Sequence, residues 1–502
     1  MPDRRRHRRL LRTIARATLI ASLFVPASLT AQATLTNLED ASTPPKGFLR
    51  LRPIIAWTRY DSRFWVNGVE PLGAAFTADS LGPANYTPLA PIEALTRSVS
   101  QAGPSYRLSM GRSRLEASAR EEVLPLAADF GITDWLSVGV VVPIVRRRLT
   151  TQFELDSTGA NVGPNLQRTS TTAAQTNALV QSQFATAATQ LQSRIASCQA
   201  DPSAPGCAAV LASGPSLLSE SQTFATQVSL LYGSLTETGA AFVPRNQSAE
   251  QIAVAGRVSD FNSRYFALLG NNVISAVPVG AAGPAGVDQF ESFVVDDVRG
   301  DSLPSQERLG IGDVEVGFKL RVLDRPISQT RRVGIQLAVA ADVRLPTASL
   351  EAANEVVDMR LGEGDAVVDV RAVMDARVRR FGLLAVGHQS FRFGEEAPPI
   401  SNSGVIIPNA TTWSELDLAP RLYVSEALSI HGAYSYRRSD VSFDELVGGG
   451  VTYSAFAARR RGNAPPMEMR FTHLQAVRGD GGRPKFFREQ LEVRVYIRVL
   501  RN

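Results

Sequence analysis

The sequence predicts an all-β membrane protein: an antiparallel up-and-down transmembrane β-barrel of about twelve strands, with a helical insertion in one long extracellular loop. Three observations predict it. First, between Asp365 and Arg379 the chain alternates: Ala366, Val368, Val370, Ala372, Met374, Ala376 and Val378 are apolar, and Asp365, Asp369, Arg371, Asp375, Arg377 and Arg379 stand between them. Val367 and Val373 are the apolar residues on the otherwise polar face. A side-chain period of two is a β-strand with two unlike faces. The run outlasts the usual strand of about 5–6 residues. It suits a tilted bilayer-spanning strand of about 9–11 residues, apolar outward and polar inward. Second, the pattern recurs along the chain. Third, the chain opens on an export segment, yet the rest holds no run of about 18 apolar residues that would cross a membrane as a helix.

Residues 1–33 read as a secretory signal peptide. Arg4, Arg5, Arg6, Arg8, Arg9, Arg12 and Arg16 form a basic lead, Ala17 to Val25 a short apolar core, and Ala31-Gln32-Ala33 a small-x-small cleavage site. Removing this segment takes seven Arg and one Asp from the totals of 53 basic and 48 acidic residues, leaving 46 and 47. The basic pI therefore belongs to the signal, and the electrostatic case for a nucleic-acid partner disappears with it. The two cysteines, Cys198 and Cys207, are separated by eight residues rich in Ser, Ala, Pro and Gly. In an oxidising compartment they are expected to form one local disulfide. No His or further Cys lies near enough to complete a metal site, and no glycine-rich nucleotide fingerprint opens a helix, so neither metal nor cofactor is expected.

Residues 34–46 read as a short periplasmic lead, 47–152 as barrel strands one to three, 153–305 as the helical insertion and 306–502 as strands four to twelve. In strand one Leu49, Leu51, Pro53, Ile55 and Trp57 alternate against Arg50 and Arg52. Residues 61–111, rich in Pro, Gly, Ala and Ser, read mostly as loop. Strands two and three follow at roughly 113–130 and 135–151, the latter presenting Leu136, Val138, Val140, Val142 and Ile144 outward. The period of two then stops. One helical stripe comprises Val180, Phe184, Ala187, Ala188, Leu191 and Ile195, and a second Leu217, Phe224, Val228 and Leu231. A third helix begins at Ser248-Ala249-Glu250-Gln251, which has capping-box spacing, and its expected stripe is Ile252, Ala255, Val258, Tyr265 and Leu268. The cysteine pair would staple the first two helices into a hairpin. The period returns near Gly310 with Val314, Val316, Phe318, Leu320 and Val322, then Val333, Ile335, Leu337, Val339 and Val343, and further strands near 365–379, 381–393, 413–424, 427–438, 445–456 and 467–476. The last strand sets Leu491, Val493, Val495, Ile497 and Val499 against Gln490, Glu492, Arg494, Tyr496 and Arg498. The count is about twelve, and ten to fourteen strands fit the same pattern. Gly448-Gly449-Gly450 falls inside a strand pattern and marks a bend or a close backbone approach.

The polar strand faces carry both signs: Asp313, Glu315, Lys319, Arg321, Asp342, Arg344, Asp369, Arg371, Asp375, Arg377, Glu415, Asp417, Arg421, Glu492, Arg494 and Arg498. Turned inward, they make either a lumen filled by cross-strand ion-pair ladders or a polar channel whose charges tune selectivity. Neither sign dominates. His388-Gln389-Ser390 puts His and Ser on one strand face, a spacing similar to the His-x-Ser of outer-membrane phospholipases, but Phe391-Arg392 stands where that family has Asn-Gly. No catalytic residues are assigned on this basis, and His431 and His473 read as polar strand residues.

Several segments resemble the outer-membrane family named for the meta-pathway of phenol degradation, within the wider group of outer-membrane barrel transporters. The residues are Leu309-Gly310-Ile311-Gly312-Asp313-Val314-Glu315-Val316-Gly317-Phe318-Lys319, Leu345-Pro346-Thr347 and Gly362-Glu363-Gly364-Asp365, with an upstream echo at Phe130-Gly131-Ile132-Thr133-Asp134-Trp135-Leu136-Ser137-Val138-Gly139. The resemblance covers roughly 120–150 and 309–395. It implies a barrel in the outer membrane of a Gram-negative-type bacterium, inserted by the barrel-assembly machinery, in contact with outer-membrane lipid, and passing small solutes, hydrophobic or aromatic ones among them. The competing expectation is a structural or surface-interaction barrel without transport, and more distantly a phospholipase-like hydrolase.

Overall fold

A computed structural model describes residues 39–500 apart from 66–67, 299–302, 304, 326, 328–331, 349–359, 363, 395–399, 403–404, 408–410, 441 and 456–466. The signal peptide, the start of the lead and Arg459-Arg460-Arg461 lie outside the described residues. The chain divides into two units. One holds 1–72, 116–152 and 304–502, and the other 73–115 and 153–303.

The first unit is a closed barrel. Twelve long strands run β1 (Phe48–Trp65), β2 (Arg112–Gly131), β3 (Leu136–Asp156), β4 (Val314–Arg325), β5 (Val333–Leu345), β6 (Ala366–Val378), β7 (Phe381–Phe393), β8 (Thr412–Tyr423), β9 (Leu428–Ser439), β10 (Phe443–Ser454), β11 (Met467–Gly479) and β12 (Pro484–Arg498). Each is the neighbour of the next, and β12 returns to β1 with Phe48 opposite Arg498 and Ile55 opposite Leu491. Gln306–Ile311 pairs with the upper part of β3 above the stretch that β4 takes. These two pieces act as one strand interrupted at Gly312-Asp313. Among the described residues no helix is long and apolar enough to cross a membrane.

Periodicity alone leaves open which face is inside. The structure decides it. Arg344 is fully buried and Arg50 nearly so, whereas Phe318 is 48% exposed and Val316 49%. Along β6 the exposed residues include Val370, and the buried ones are Val367, Asp369, Arg371 and Val373. A soluble sandwich would bury the opposite set, because water would take the charges and the apolar face would collapse inward. A belt of exposed Ile, Val, Leu and Phe on every wall exceeds any apolar patch a monomer leaves in water and matches the lipid-facing band of a membrane barrel. In β10, Gly448 and Gly450 are a close backbone approach: a Cβ would fall 1.9 Å from the His473 carbonyl oxygen at 448, and 2.0 Å from that of Phe471 at 450. The missing side chain at 450 also leaves room for the buried His431 ring.

The second unit is helical: α1 (Ala90–Ser100), α2 (Thr171–Ala200), α3 (Cys207–Tyr232) and α4 (Ala249–Leu269), with shorter turns between. The helix α1 falls in the segment expected as loop. Its start at Ala90-Pro91 uses proline where no intrahelical N–H is required, and tertiary contact holds it. Arg257 donates to the Ser98 and Val99 carbonyls at its C-terminus (3.0 and 2.8 Å), placing a cation where orphan carbonyls need donors. The expected stripes of α2 and α3 are buried apart from Ile195, which is half-buried. That of α4 is corrected in part: Val258 and Tyr265 are buried as expected, but Ile252 is 62% exposed, and Gln251, Val254 and Phe261 complete the inward face. Phe261 decides the rotation, because its ring packs between Phe184 and Phe224 at 5.7 and 5.1 Å. Ser248 caps α4 as expected, its Oγ accepting from Gln251 N at 3.2 Å. The Gln251 side chain does not complete the box; it accepts from Tyr232 OH (2.6 Å) and donates to Pro278 O (2.7 Å). Cys198 and Cys207 form a disulfide with Cα atoms 5.1 Å apart, joining the end of α2 to the start of α3.

Candidate functional site: the barrel interior

Alternation along each strand delivers every second side chain to the interior, and cross-strand register then sets which charges meet. Glu315 on β4 lies opposite Arg344 on β5, Asp369 on β6 opposite Ser390 on β7, His388 opposite Glu415 on β8, and Glu415 opposite Arg437 on β9. The side chains close into one belt across six strands. Arg344 Nε donates to Glu315 (2.9 Å) and its Nη2 reaches Asp369 (3.4 Å). His388 Nε2 lies 2.9 Å from Asp369, and its Nδ1 lies 3.8 Å from Glu415. Glu415 accepts from Ser435 (3.1 Å) and Arg437 (3.3 Å).

Of the residues read from sequence as interior charges, Asp313, Lys319, Arg344, Asp369, Arg371, Glu415, Asp417, Arg421, Glu492 and Arg494 are buried. Glu315, Arg321, Asp342, Asp375 and Arg377 are half-buried, and Arg498 is exposed at the end of β12 with Nε donating to the Leu500 carbonyl (3.3 Å). The reading omitted other interior charges, among them Arg52, Glu121, Arg147, Arg437, Arg470 and Arg488. Arg52 sat in plain view on the polar face of strand one. Arg437 was masked by Arg438 beside it, which blurs the alternation.

His388 and Ser390 are brought together, with Ser390 Oγ 3.0 Å from His388 Nε2. The pair is not the Ser–His relay that the spacing suggested, because the Ser390 hydroxyl donates to Asp369 rather than to His388. Ser390 donates its proton to Asp369, the same carboxylate that takes His388 Nε2, and Ser390 is fully buried.

The largest finding inside the barrel is one that no strand pattern announces. Residues 39–45, expected as a periplasmic lead, enter the lumen. Glu39 accepts from Lys319 on β4 and from Arg371 on β6 (2.9 Å), with Arg52 on β1 at 3.9 Å. Asp40 pairs with Arg494 on β12 and lies 3.9 Å from Arg470 on β11, and its carbonyl accepts from Lys319 (2.8 Å). Ala41 is fully buried in a cluster with Ala338, Val373, Leu384, Val386, Ala419, Ala433 and Leu474, which come from six strands. The segment leaves past the Gly131–Leu136 turn, where Thr43 Oγ1 donates to Asp134 O (2.8 Å) and Gly47 N to Gly131 O (2.9 Å). Beside it lies a cavity of about 480 Å³ lined by Asp40, Asp375, Arg377, Arg421, Tyr423 and Arg470. There Arg421 Nε and Nη2 are buried without a hydrogen-bond partner, and Asp375 stands off at 3.8 Å. Arg377 stacks over Tyr423 at 3.7 Å.

No protein-family model matches the chain, and no curated protein matches it. Among solved structures it is similar to an outer-membrane channel from Pseudomonas putida F1, at 9% identity over 91% of this chain and 98% of that one, with a TM-score of 0.39. It is also similar to the toluene transporter of Ralstonia pickettii, at 10% identity over 95% and 99% with a TM-score of 0.29. A third is a FadL homologue of Pseudomonas aeruginosa, at 10% identity over 95% and 100% with a TM-score of 0.25. With scores this low, barrel and lumen are argued from the chain's own geometry.

Proposed function

We propose that this chain is an outer-membrane channel that passes small solutes through the barrel interior, and that it reaches the membrane after loss of residues 1–33 and insertion by the barrel-assembly machinery. The observation that carries the reading is the inverted dressing of a closed barrel, with large apolar side chains outside and charges inside. Such a wall is stable only with lipid outside and polar contents within. The narrower resemblance to the phenol meta-pathway family belongs to this proposal and rests on the segments at 309–319, 345–347 and 362–365. Toluene is named for one of the similar structures, so aromatic solutes are the first to test. A lumen of paired carboxylates and guanidinium groups favours aromatic solutes that carry a hydroxyl or carboxylate over bare hydrocarbon, which would interrupt those pairs without replacing their hydrogen bonds.

We also place the helical insertion on the outer side of the membrane, because it leaves the barrel at the end of β3 remote from the short Gly131–Leu136 turn, and long loops face outward in such barrels. The second reading, a barrel without transport that presents this insertion, is favoured by residues 39–45 in the lumen. Conductance of the full-length protein in planar bilayers separates the two, with solute flux into liposomes as the companion measurement. Current that rises when residues 39–45 are removed supports the channel. Silence in the full-length protein, in that deletion and with residues 155–304 removed would overturn it.

A further inference from the structure

The outward wall formed by β12, β1, β2 and β3 changes character at the level of Trp57, which has Glu122 on β2 and Glu489 on β12 directly opposite it. From Leu49 to Trp57 the outer face of β1 is Leu, Leu, Pro, Ile and Trp, and β3 presents Val138, Val140, Val142 and Ile144. The β1 stretch is about 26 Å of strand and ~20 Å of depth at the usual tilt. Above it the same face turns basic, with Arg59 on β1, Arg120 on β2, Arg148 on β3 and Lys485 on β12. These four line a depression of about 400 Å³ in which Asp61 is the acidic residue.

The register makes this arrangement unfavourable by itself. Arg59 lies directly opposite Arg120 across the β1–β2 pair, and like charges so placed repel. Arg120 is held by Glu122 at 2.7 Å and Arg148 by Glu307 at 2.5 Å. Arg59 and Lys485 make no ion pair or side-chain hydrogen bond among the described residues. Phe487, 49% exposed, lies opposite Arg59 on its other side and extends the aromatic rim begun by Trp57. A second depression in the barrel unit, between β9, β10 and β11, is balanced: Arg438 and Arg478 share it with Asp440, Glu445 and Asp480. Of these two depressions, the basic surplus belongs to the one lined by Arg59, Arg120, Arg148 and Lys485.

We propose that this depression binds the phosphate groups of an anionic glycolipid of the outer leaflet, the phosphorylated headgroup of lipopolysaccharide. Its acyl chains would lie along the Leu–Val–Ile face below, its phosphates between Arg59 and Arg120, and Lys485 and Arg148 would flank them. Guanidinium groups suit this role because they grip phosphate through paired N–H donors. A basic cluster at the edge of the apolar band lies where headgroup charge is densest. The assignment rests on the outer-membrane orientation proposed above.

The test uses the full-length protein in detergent, titrated with fluorescently labelled lipopolysaccharide. The double variant Arg59→Gln/Arg120→Gln should bind at least about tenfold more weakly, with a similar loss when intact protein meets dephosphorylated lipid. The control Arg438→Gln/Arg478→Gln should bind as the parent does, and heat-modifiable gel mobility verifies that each barrel has formed. Equal binding by the Arg59/Arg120 variant and the parent overturns the site. Displacement of the lipid by millimolar inorganic phosphate would make it a free-phosphate site and overturn the lipid assignment. Equal affinity for phosphatidylglycerol vesicles would place the patch at the other leaflet and overturn it as well. Failure of the channel reading is separable: a barrel that conducts nothing should still bind lipopolysaccharide, and the variant should conduct as the parent does in vesicles free of it.

Discussion

The docking of residues 39–45 into the lumen makes the sharpest prediction. Glu39 is 6% exposed, with Lys319, Arg371 and Arg52 all within 4 Å of its carboxylate. Glu39→Gln keeps the shape and removes the charge, leaving three interior cations short of a counter-ion. Removing one partner of a buried pair costs about 3–5 kcal/mol. Because glutamine still accepts hydrogen bonds, the cost falls below that range, to about 2–3 kcal/mol. That shifts the docked–released equilibrium about 30- to 150-fold toward release. Two readouts follow. A thiol introduced by Ala41→Cys, buried in the parent, should react with an impermeant maleimide roughly that much faster in the Glu39→Gln background, and planar-bilayer openings should lengthen or multiply in step. The described cysteines are all disulfide-bonded, which keeps the added thiol distinct. Labelling within twofold of the Ala41→Cys parent, with conductance unchanged, would refute the reasoning: the lumen would then hold the segment by packing rather than by its ion pairs.

Five further outcomes are expected. Val370→Arg, on the lipid face, should destabilise the barrel by about 2–4 kcal/mol near the midplane, measured by heat-modifiable mobility in urea. Val373→Arg should leave the wall intact but expel Ala41, raising the Ala41→Cys labelling rate. Burial pushes the Tyr86 hydroxyl up to about 12. A raised folded value means that its share of the helical unit's stability is complete below the ordinary tyrosine range near pH 10 and is lost as pH climbs through about 12, which tyrosinate absorbance and near-ultraviolet circular dichroism should follow together. Non-reducing peptide mass spectrometry should find Cys198 joined to Cys207, and reduction should cost the α2–α3 hairpin about 2–3 kcal/mol. Leu235→Cys, at a position 61% exposed in the helical unit, should be labelled by an impermeant maleimide on intact cells; labelling only after the outer membrane is opened would put the insertion in the periplasm.

The strands, their two unlike faces and most of the helices were legible in the chain because they follow from near neighbours. A period of two from Ala366 to Val378 needs no distant partner to be read, and neither does the spacing of Val180, Phe184 and Leu191, or Ser248 standing before α4. Ile252 shows where this stops. Two adjacent stripes of α4 were nearly equally apolar, and only the Phe184–Phe224–Phe261 ring cluster, assembled from three helices, selected one. The helix α1 was hidden likewise, since its Pro- and Ser-rich segment relies on Arg257 for its last carbonyls. The lumen was the least legible part. Which strand faces carry charge is a local property, but that Glu39 meets Arg371, 332 residues away, follows from barrel closure and register. Short-range pattern sets which side chains share a face. The partners it meets there are set by how the ring of strands closes, a condition spread over the whole chain.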